Sequence, residues 1–402
     1  MIEREFDAIT KNDIENLVRN AVAERRSIEY KAEIPGETDD DKKEFLADVS
    51  SFANAAGGDL VFGISEKNDA KGKPTGIPES ADGLASINSD AQIRRLEDML
   101  RAGLSPKIPG LRVKSIDGFK LGPVIVVRVP KSWTAPHMVI FKNLSRFFTR
   151  TSAGKHQLDV HELRNAFIAS STLRDKISQF RNERLGRILA NETPVRMSAE
   201  PKIILHLIPF TIADTSSVVD LSPVIANPTK TPPLDPYGQS HRINIDGIVT
   251  YTAFSHNKPS HTYLQVFRFG AFEAVNSQLL RNPNGEKLID SSRIERALIK
   301  GLTCYLRSAK ELGIQFPFLL SLTLHGVHGY LLNRNSKWSM INSTETVDRE
   351  TLVLPDVIIE QDSLDPDLVL RPVFDALWQA SGFASCEHYN CEGRWDGGQS
   401  RE

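Results

Sequence analysis

The chain has 402 residues, of which 40% are hydrophobic and 25% charged, and its formal net charge is −2. This length predicts two to three globular domains. The near-neutral charge excludes nucleic-acid binding through an overall basic surface, so any such binding must use a local patch. Three cysteines and the lack of an apolar leader predict a reducing, cytoplasmic setting. Because no apolar run approaches about 18 residues, we expect no membrane span.

Helices and strands alternate through the first part of the chain. Apolar spacing predicts an amphipathic helix over residues 13–24, followed by the short strand "SIEYK". A second helix ends at Gly57-Gly58, and a buried strand follows over residues 60–64. A helix over 89–102 and strands in "PVIVVRV", "MVIF" and "RFFTRTS" continue the pattern. We therefore predict a mixed-sheet α/β domain over residues 1–170.

A second domain is predicted beyond a basic helix. The sequence of residues 171–198 predicts a linker helix. Its basic residues are Arg174, Lys176, Arg181, Arg184 and Arg187. The strong strand "KIILHLIPF" then opens an α/β domain over residues 199–390, with a proline-rich loop, "PTKTPPLDPYGQS", and a long helix over 294–312. We expect residues 391–402 to form a flexible tail.

The strand "SIEYK" carries an unusual charge pattern. Ile28 and Tyr30 point to one face, and Glu29, Lys31 and Glu33 point to the other, because side chains alternate along a strand. The charged face has two interpretations. It is a solvated edge, where mixed charges discourage aggregation, or it is a site where carboxylates hold a cation and a lysine orients a phosphate.

Two further acids favour the second interpretation. Glu24 lies five residues before Glu29, and Glu66 follows the buried strand. Adjacent strands lie about 5 Å apart, so we expect these carboxylates to be close together. Hard cations prefer oxygen ligands. The pattern suits a Mg²⁺ or Mn²⁺ site formed by Glu24, Glu29 and Glu66, and the solvated edge remains the alternative.

A basic and aromatic cluster, "RFFTRTSAGKHQLD", is the candidate for nucleic-acid binding. Arg146, Arg150 and Lys155 suit phosphate groups, and an exposed phenylalanine could stack on a base. The alternative is an ordinary basic surface in which Phe147 or Phe148 belongs to the core.

Two other patterns carry no predicted site. The glycine pair follows a helix and lacks the lysine and hydroxyl residue of a P-loop, so we recognise no ATP site. Late histidines and cysteines, at 325, 328, 386, 388 and 391, have a spacing unlike that of common zinc sites, so we predict no metal there.

The N-terminal motifs occur in a characteristic order. Glu24, Glu29, Tyr30 and Lys31 form an E-x4-E-[FY]-K pattern. It is followed by "FANAAGGDLVFGIS" with an acid directly after it, and then by "PTGI". The last motif is "RTSAGK", which precedes a helix that contains "HEL". This ordered set, over about residues 1–165, resembles the Schlafen AlbA-like domain family. The combination is more specific than any of its parts. The resemblance implies a nucleic-acid-binding domain.

The resemblance also implies a chemistry. Vertebrate Schlafen domains of this kind resemble metal-dependent endoribonucleases that act on tRNA and other structured RNA through three acids. Their positions match Glu24, Glu29 and Glu66 here, and the strand lysine matches Lys31. Tyr30 replaces the usual phenylalanine, and Glu66 replaces an aspartate. The longer side chain at position 66 changes the geometry of that corner.

These observations lead to three functional hypotheses. The first is a Mg²⁺- or Mn²⁺-dependent endoribonuclease, with RNA favoured and DNA possible as partner. The second is a DNA- or RNA-binding regulator without turnover, and the third an effector domain coupled to a C-terminal sensor. Vertebrate Schlafens pair two lobes in one chain, so a comparable groove here implies a homodimer. Family association suggests a role in phage defence.

Overall fold

The chain divides into two units, residues 1–172 and 173–402, in a computed structural model. Both units combine helices with sheets, which confirms the predicted α/β class. The structure describes residues 1–397 except 3, 5, 152, 153, 200, 214–217, 253–257, 283, 334–344 and 361–364.

The first unit contains a 3-10 helix at Phe6–Ala8 and then, in chain order, α1 (Lys11–Arg19), β1 (Ile28–Lys31), α2 (Asp39–Ala53), β2 (Gly58–Phe62), β3 (Ser65–Asn68), β4 (Pro74–Ser80), α3 (Ser89–Gly103), β5 (Leu104–Ser105), β6 (Arg112–Ile116), β7 (Val124–Val129), β8 (Met138–Phe141), β9 (Leu144–Thr151), β10 (Gly154–Gln157) and the start of α4 (Val160–Leu189). One sheet has the order β1-β2-β7-β6, in which β1 is parallel to β2 and the other neighbours are antiparallel. This is the mixed sheet that we predicted. A second sheet has the order β10-β9-β8-β5, and β3 pairs with β4.

Apolar side chains form a separate core on each face of the first sheet. Leu60 and Phe62 pack with α2 and α3 on one face. Ile28 and Tyr30 pack with the N-terminal segment and α1 on the other face. The predicted alternation in β1 is therefore observed, and it leaves Glu29 and Lys31 on the side of α2.

Helix α2 begins at Asp39 and ends at Ala53, before the glycine pair at which we expected its end. The Thr38 hydroxyl accepts a hydrogen bond from the Asp41 amide at 3.1 Å. Three aspartates in the first turn interact favourably with the positive end of the helix dipole. The helix ends at Ala53, and Gly57 then adopts φ +73°. A Cβ on Gly58 would lie 2.3 Å from the Phe52 ring. The glycine pair thus lets β2 fold back closely against α2.

Helix α4 differs from the prediction. We expected one helix to end near residue 170 and a separate linker helix to follow, but α4 is continuous from Val160 to Leu189. The physical reason is that no glycine or proline interrupts the sequence near residue 170. The basic segment of the predicted linker is the second half of this helix.

The second unit contains β11 (Lys202–Pro209), α5 (Ser222–Ala226), β12 (Ser240–Asn244), β13 (Gly247–Tyr251), β14 (Thr262–Phe267), β15 (Phe272–Asn276), β16 (Leu288–Asp290), α6 (Ser291–Glu311), β17 (Phe318–His325), β18 (Leu331–Asn333), β19 (Thr351–Val353), β20 (Val357–Ile359) and α7 (Pro366–Gln379), with 3-10 helices at Phe210–Ala213 and Pro228–Lys230. Its main sheet is antiparallel, with the order β12-β13-β14-β15-β11-β17-β19, and β20 also pairs with β17. None of the described helices combines the length and apolar character needed to cross a membrane.

A buried ion pair joins α4 to the main sheet of the second unit. Glu273 on β15 is fully buried, and Arg184 donates to its two carboxylate oxygens at 2.7 and 2.8 Å. The Tyr263 hydroxyl donates to the same carboxylate at 2.8 Å, and His206 lies 3.2 Å from it. One of the five basic residues of the predicted linker is therefore a core residue of the second unit.

Candidate active site

Glu29 and Lys31 contact each other on the α2 side of β1. The Lys31 Nζ lies 2.7 Å from Glu29 Oε1, and Arg150 of β9 lies 2.9 Å from Glu29 Oε2. The Glu29 side chain is 12% exposed, and that of Arg150 is 5% exposed. The charged face of β1 is thus largely covered, which argues against the solvated-edge interpretation.

Asp48 of α2 is a site residue that our sequence analysis missed. Its side chain is 2% exposed, and its two oxygens lie 2.7 Å from Lys155 Nζ and 3.7 Å from Lys31 Nζ. Asp48 follows Phe45 by three residues, so it lies on the buried face of α2, and an acid at that position was the available signal. We define the ionic network as Glu29, Lys31, Glu44, Asp48, Arg150 and Lys155.

The ionic network shifts the pKa of its members in opposite directions. Burial raises the pKa of Glu29, but the neighbouring Lys31 and Arg150 outweigh it, and the net shift is downward. Burial and the charge of Glu29 raise the pKa of Asp48 to about 6, against the opposing effects of Lys155 and Lys31. Burial lowers the pKa of Lys31, but Asp48 and Glu29 give a net upward shift. Lys31 is therefore a permanent cation at neutral pH.

A cavity opens beside the ionic network. It has a volume of about 450 Å³, and its lining includes Lys31, Glu44, Phe45 and Asp48. This volume falls within the range of about 300–1,000 Å³ that is typical of ligand sites. A small group such as a phosphate can thus reach the ammonium of Lys31.

The backbone of Gly76, in β4, forms hydrogen bonds with both Glu24 and Glu66. The Glu24 amide donates to the Gly76 carbonyl at 2.6 Å, and the Gly76 amide donates to Glu66 Oε2 at 2.8 Å. Gly76 adopts φ +71°, and a Cβ there would lie 3.3 Å from the Cβ of Glu24. The glycine of the "PTGI" motif therefore connects the two acids through the backbone.

The carboxyl of Glu24 is partly buried and has a raised pKa. Its carboxylate accepts a hydrogen bond from the Tyr30 amide at 2.7 Å. Burial, together with the negative charges of Glu66 and Glu29, raises the pKa of Glu24 to about 7, although the Tyr30 amide and Lys31 oppose this shift. Glu24 therefore exchanges a proton near neutral pH, and both other predicted acids act on it.

The three acids are neighbours without forming a tight cluster. In the part of the chain that the structure describes, the group of histidine, cysteine and acidic residues whose ligand atoms all lie within 4.8 Å is Glu295, Cys386 and His388. Glu24, Glu29 and Glu66 do not meet that criterion. A cation bound directly by all three would require their carboxylates to approach one another.

A pair of glycine substitutions tests the connection at Gly76. Gly72 and Gly76 both lie in the β3–β4 hairpin with positive φ, but only Gly76 has a neighbour within 4 Å of its Cβ position. We expect each alanine variant to lose about 1–2 kcal/mol through backbone strain. Gly76→Ala should lose more, measured by urea unfolding, and it alone should shift the Glu24 carboxyl pKa measured by ¹³C NMR. Equal effects of the two variants would show that the Gly76 contact is unimportant.

The predicted nucleic-acid residues have different environments. Arg146 is exposed and donates to the Gln157 side chain at 2.8 Å. Arg150 is buried, with its guanidinium 3.8 Å from the Phe52 ring centroid and with Nε and Nη1 lacking hydrogen-bond partners. Phe148 packs against the core, and Phe147 packs edge-to-face on Phe167. Of the three cations, Arg146 is the one open to a ligand without rearrangement.

The group Glu295, Cys386 and His388 is a possible metal-binding triad in the second unit, although we predicted no metal there. Glu295 is fully buried; His388 Nδ1 lies 2.7 Å from Oε2, and Cys386 Sγ lies 3.6 Å from Oε1. The indoles of Trp378 and Trp395 also donate to this carboxylate, at 2.9 and 2.7 Å. Four contacts from the protein therefore already satisfy Glu295.

Trp395 also bears on the predicted tail. We expected residues 391–402 to be flexible, but Trp395 is partly buried against the core of the second unit. Its backbone amide donates to Asp367 at 3.3 Å in addition to the indole bond to Glu295. Trp395 is thus packed on the second unit, whereas residues 391, 392 and 394 are exposed and residues 398–402 lie outside the described residues.

The comparison with protein families gives a match to about a third of the chain. Residues 24–159 match the family model described as Schlafen, AlbA_2. This confirms the resemblance that the sequence motifs indicated. All seven predicted site residues, from Glu24 to Lys155, lie within the Schlafen AlbA_2 match, and so does Asp48. The match points to nucleic acid as the class of ligand.

Solved structures give weaker similarities. The N-terminal domain of a RecG-related protein from Nitrosomonas europaea is 28% identical over 29% of this chain and 71% of that chain, with a TM-score of 0.22. The DIP2311 protein from Corynebacterium diphtheriae is 17% identical over 36% of this chain and 30% of that chain, with a TM-score of 0.23. No curated protein gave a significant match.

Proposed function

We propose that the Schlafen AlbA_2 domain cleaves RNA as a divalent-metal-dependent endoribonuclease, acting on tRNA or other structured RNA. The observation that carries this proposal is the environment of Glu24. Its carboxyl has a pKa of about 7 because it is buried and repelled by Glu66 and Glu29. A partly buried carboxyl that exchanges its proton near neutral pH gives no advantage to a domain that only binds nucleic acid.

The chemistry of the three acids suits a hard divalent cation, which they could share once their carboxylates approach one another. Glu24, Glu29 and Glu66 offer carboxylate oxygens, which Mg²⁺ and Mn²⁺ prefer. Burial is the largest cause of the raised pKa of Glu24, and repulsion by Glu66 and Glu29 adds to it; a nearby cation would offset both effects. When bound, the ion would supply Lewis-acid stabilisation of the phosphate and a more acidic bound water.

The other residues of the site have supporting roles. Lys31 remains charged at neutral pH, so it can polarise the scissile phosphate and cannot act as a base. Arg150 is a positioning residue, because it holds Glu29 at 2.9 Å from a buried location. Arg146 is exposed and is the first candidate for a contact with the RNA backbone.

The decisive experiment measures cleavage by the purified protein. We expect tRNA to be cut in the presence of Mn²⁺ or Mg²⁺ and to survive in the presence of a chelator, with plasmid and single-stranded DNA as comparison substrates. Glu29→Gln should lower the cleavage rate by more than about 100-fold, since even outer-shell partners of a metal cost about 10–100-fold. Glu79→Gln, an exposed acid on the same hairpin as Gly76, is the matched control and should cut normally.

A different result would favour a binding module without turnover. In that case the parent binds RNA or DNA without cutting it under any metal condition, and Glu29→Gln binds as tightly as the parent. The affinity would then fall steeply with salt, because contacts to phosphates release counterions. The absence of cleavage under every metal condition, with the protein folded by circular dichroism, contradicts the nuclease proposal.

We also propose that the active form is a homodimer. The family model matches one region of this chain, residues 24–159. A groove between two such lobes would therefore require a second copy of the chain. Light scattering coupled to size-exclusion chromatography should give a dimer mass. A monomer that cleaves tRNA at full rate would contradict this part of the proposal.

A further inference from the structure

A second cavity lies in the second unit, between α6 and the proline-rich loop over residues 232–237. Its volume is about 500 Å³, within the range of about 300–1,000 Å³ for small-molecule sites. Pro233 and Tyr237 line it from the loop, and Arg293, Arg296 and Lys300 line it from the helix. We call it the α6 pocket.

The loop side of the α6 pocket is held firmly in place. Prolines at 232, 233 and 236 restrict the backbone. The Leu234 carbonyl accepts hydrogen bonds from the buried side chains of Thr262 and Asn276, at 2.9 and 2.7 Å. Gly301 lets Leu234 approach α6, because a Cβ at Gly301 would lie 2.4 Å from the Leu234 side chain. The pocket is therefore preformed, which lowers the entropy cost of binding.

The helix side of the α6 pocket carries an excess of positive charge. Arg293 lies 3.0 Å from Asp235 and is neutralised by it. Arg296 and Lys300 are exposed, and neither has an ion pair with any described carboxylate. Residues 293, 296 and 300 share one face of the helix, as their spacing requires. The pocket thus presents two unneutralised cations on a rigid element.

The neutral wall of the α6 pocket completes its chemistry. Tyr237 is 56% exposed, and it lines the pocket together with the prolines of the loop. Aromatic and proline surfaces suit a planar ring, while guanidinium and ammonium groups suit phosphate oxygens. A ligand with both a planar ring and a phosphate uses every part of this lining.

We propose that the α6 pocket binds a nucleotide, with its phosphates on Arg296 and Lys300 and its base against Tyr237. This binding activity goes beyond RNA cleavage and does not depend on it. It gives the second unit a ligand of its own, and Arg296 lies 5.8 Å from the ring centroid of Trp395, which donates to the buried Glu295. A ligand bound to Arg296 would therefore lie near Trp395, whose hydrogen bond to Glu295 anchors the C-terminal segment.

Isothermal titration calorimetry on the full chain tests this proposal. The probes are AMP, ATP and GTP, with adenosine and inorganic pyrophosphate as the two partial ligands. At least one nucleotide should bind with a Kd below about 1 mM, and it should bind at least tenfold more tightly than either partial ligand. The double variant Arg296→Glu and Lys300→Glu should weaken that affinity by more than tenfold.

Arg307→Glu is the matched control, because Arg307 is exposed on the same helix and does not line the pocket. It should bind the nucleotide like the parent. Thermal unfolding should show that all variants are folded before binding is compared. The proposal is overturned if no nucleotide binds, if pyrophosphate or adenosine alone binds as tightly, or if Arg307→Glu weakens binding as much as the double variant.

Discussion

Glu24→Gln should lower the rate of RNA cleavage by about 100-fold or more and should remove the dependence of the remaining rate on pH near 7. Proton-transfer residues typically contribute about 10²–10⁴-fold, and a metal ligand must be deprotonated to bind. Glutamine keeps the oxygen that accepts the Tyr30 amide, so the local hydrogen bond survives. The variant thus removes the charge of Glu24 with little change in shape.

The sign of the pH dependence follows from the raised pKa. In the free protein Glu24 becomes ionised as pH rises through about 7, so cleavage at low metal concentration should increase across this range. Stability should change in the opposite direction. Between the ordinary value of 4.5 and about 7 the folded state binds the extra proton, so the free energy of unfolding attributable to Glu24 falls as pH rises.

These pH effects are measured by single-turnover cleavage and by urea unfolding, each between pH 5 and 9. Glu79→Gln should reproduce both parent profiles. Added Mn²⁺ should move the midpoint of the cleavage profile to lower pH, because a cation favours the ionised carboxylate. A Glu24→Gln variant with the parent's rate and profile would exclude Glu24 from the reaction.

Glu273→Ala should destabilise the second unit by about 3–5 kcal/mol. The substitution leaves the buried guanidinium of Arg184 without its counter-charge, which is the most expensive way to break an ion pair. It also removes the acceptor for the Tyr263 hydroxyl. The urea midpoint followed by tryptophan fluorescence measures the loss, with Glu183→Ala as control, because the exposed pair of Glu183 with Arg187 is worth only about 0–1 kcal/mol.

The same carboxylate makes the second unit sensitive to acid. Burial raises the pKa of Glu273, but Arg184 and His206 outweigh it and lower the pKa to about 2. Its contribution to stability is therefore complete above the ordinary value of 4.5 and is lost as pH falls from 4.5 toward about 2. The parent should lose stability over that range, and Glu273→Ala should lose less. Parallel acid-unfolding curves would contradict this assignment.

The local features of the N-terminal unit could be predicted because they depend on residues that are close in sequence. Alternation alone assigned Ile28 and Tyr30 to one core and left Glu29 on the opposite face. Helix α2 ends at Ala53, before the glycine pair that we expected to end it, and the glycines instead permit the close turn into β2, because a Cβ at either position would collide with neighbouring atoms. The continuous α4 was missed since a helix boundary was assigned at a domain boundary, without any residue there that ends a helix.

The composition of the site was harder to predict, because it depends on tertiary distances. Asp48 was missed although it lies on the buried stripe of α2, since one acid in a helix has many possible partners. Arg150 and Lys155 were predicted as phosphate contacts, yet both pair with acids of this domain. The connection between Glu24 and Glu66 runs through the backbone of Gly76, which no side-chain pattern reveals.

The ionic network has a consequence for how RNA would bind. Its three carboxylates and three cations neutralise one another, so a phosphate that contacts Lys31 or Lys155 competes with a carboxylate of the protein. Those carboxylates act as built-in counterions, and they are not released to the solvent. The salt dependence of binding would then be shallower than the number of lysine and arginine contacts suggests. At each cation, an RNA phosphate would compete with a carboxylate of the protein. The affinity for RNA would then depend on the protonation of Asp48 as much as on ionic strength.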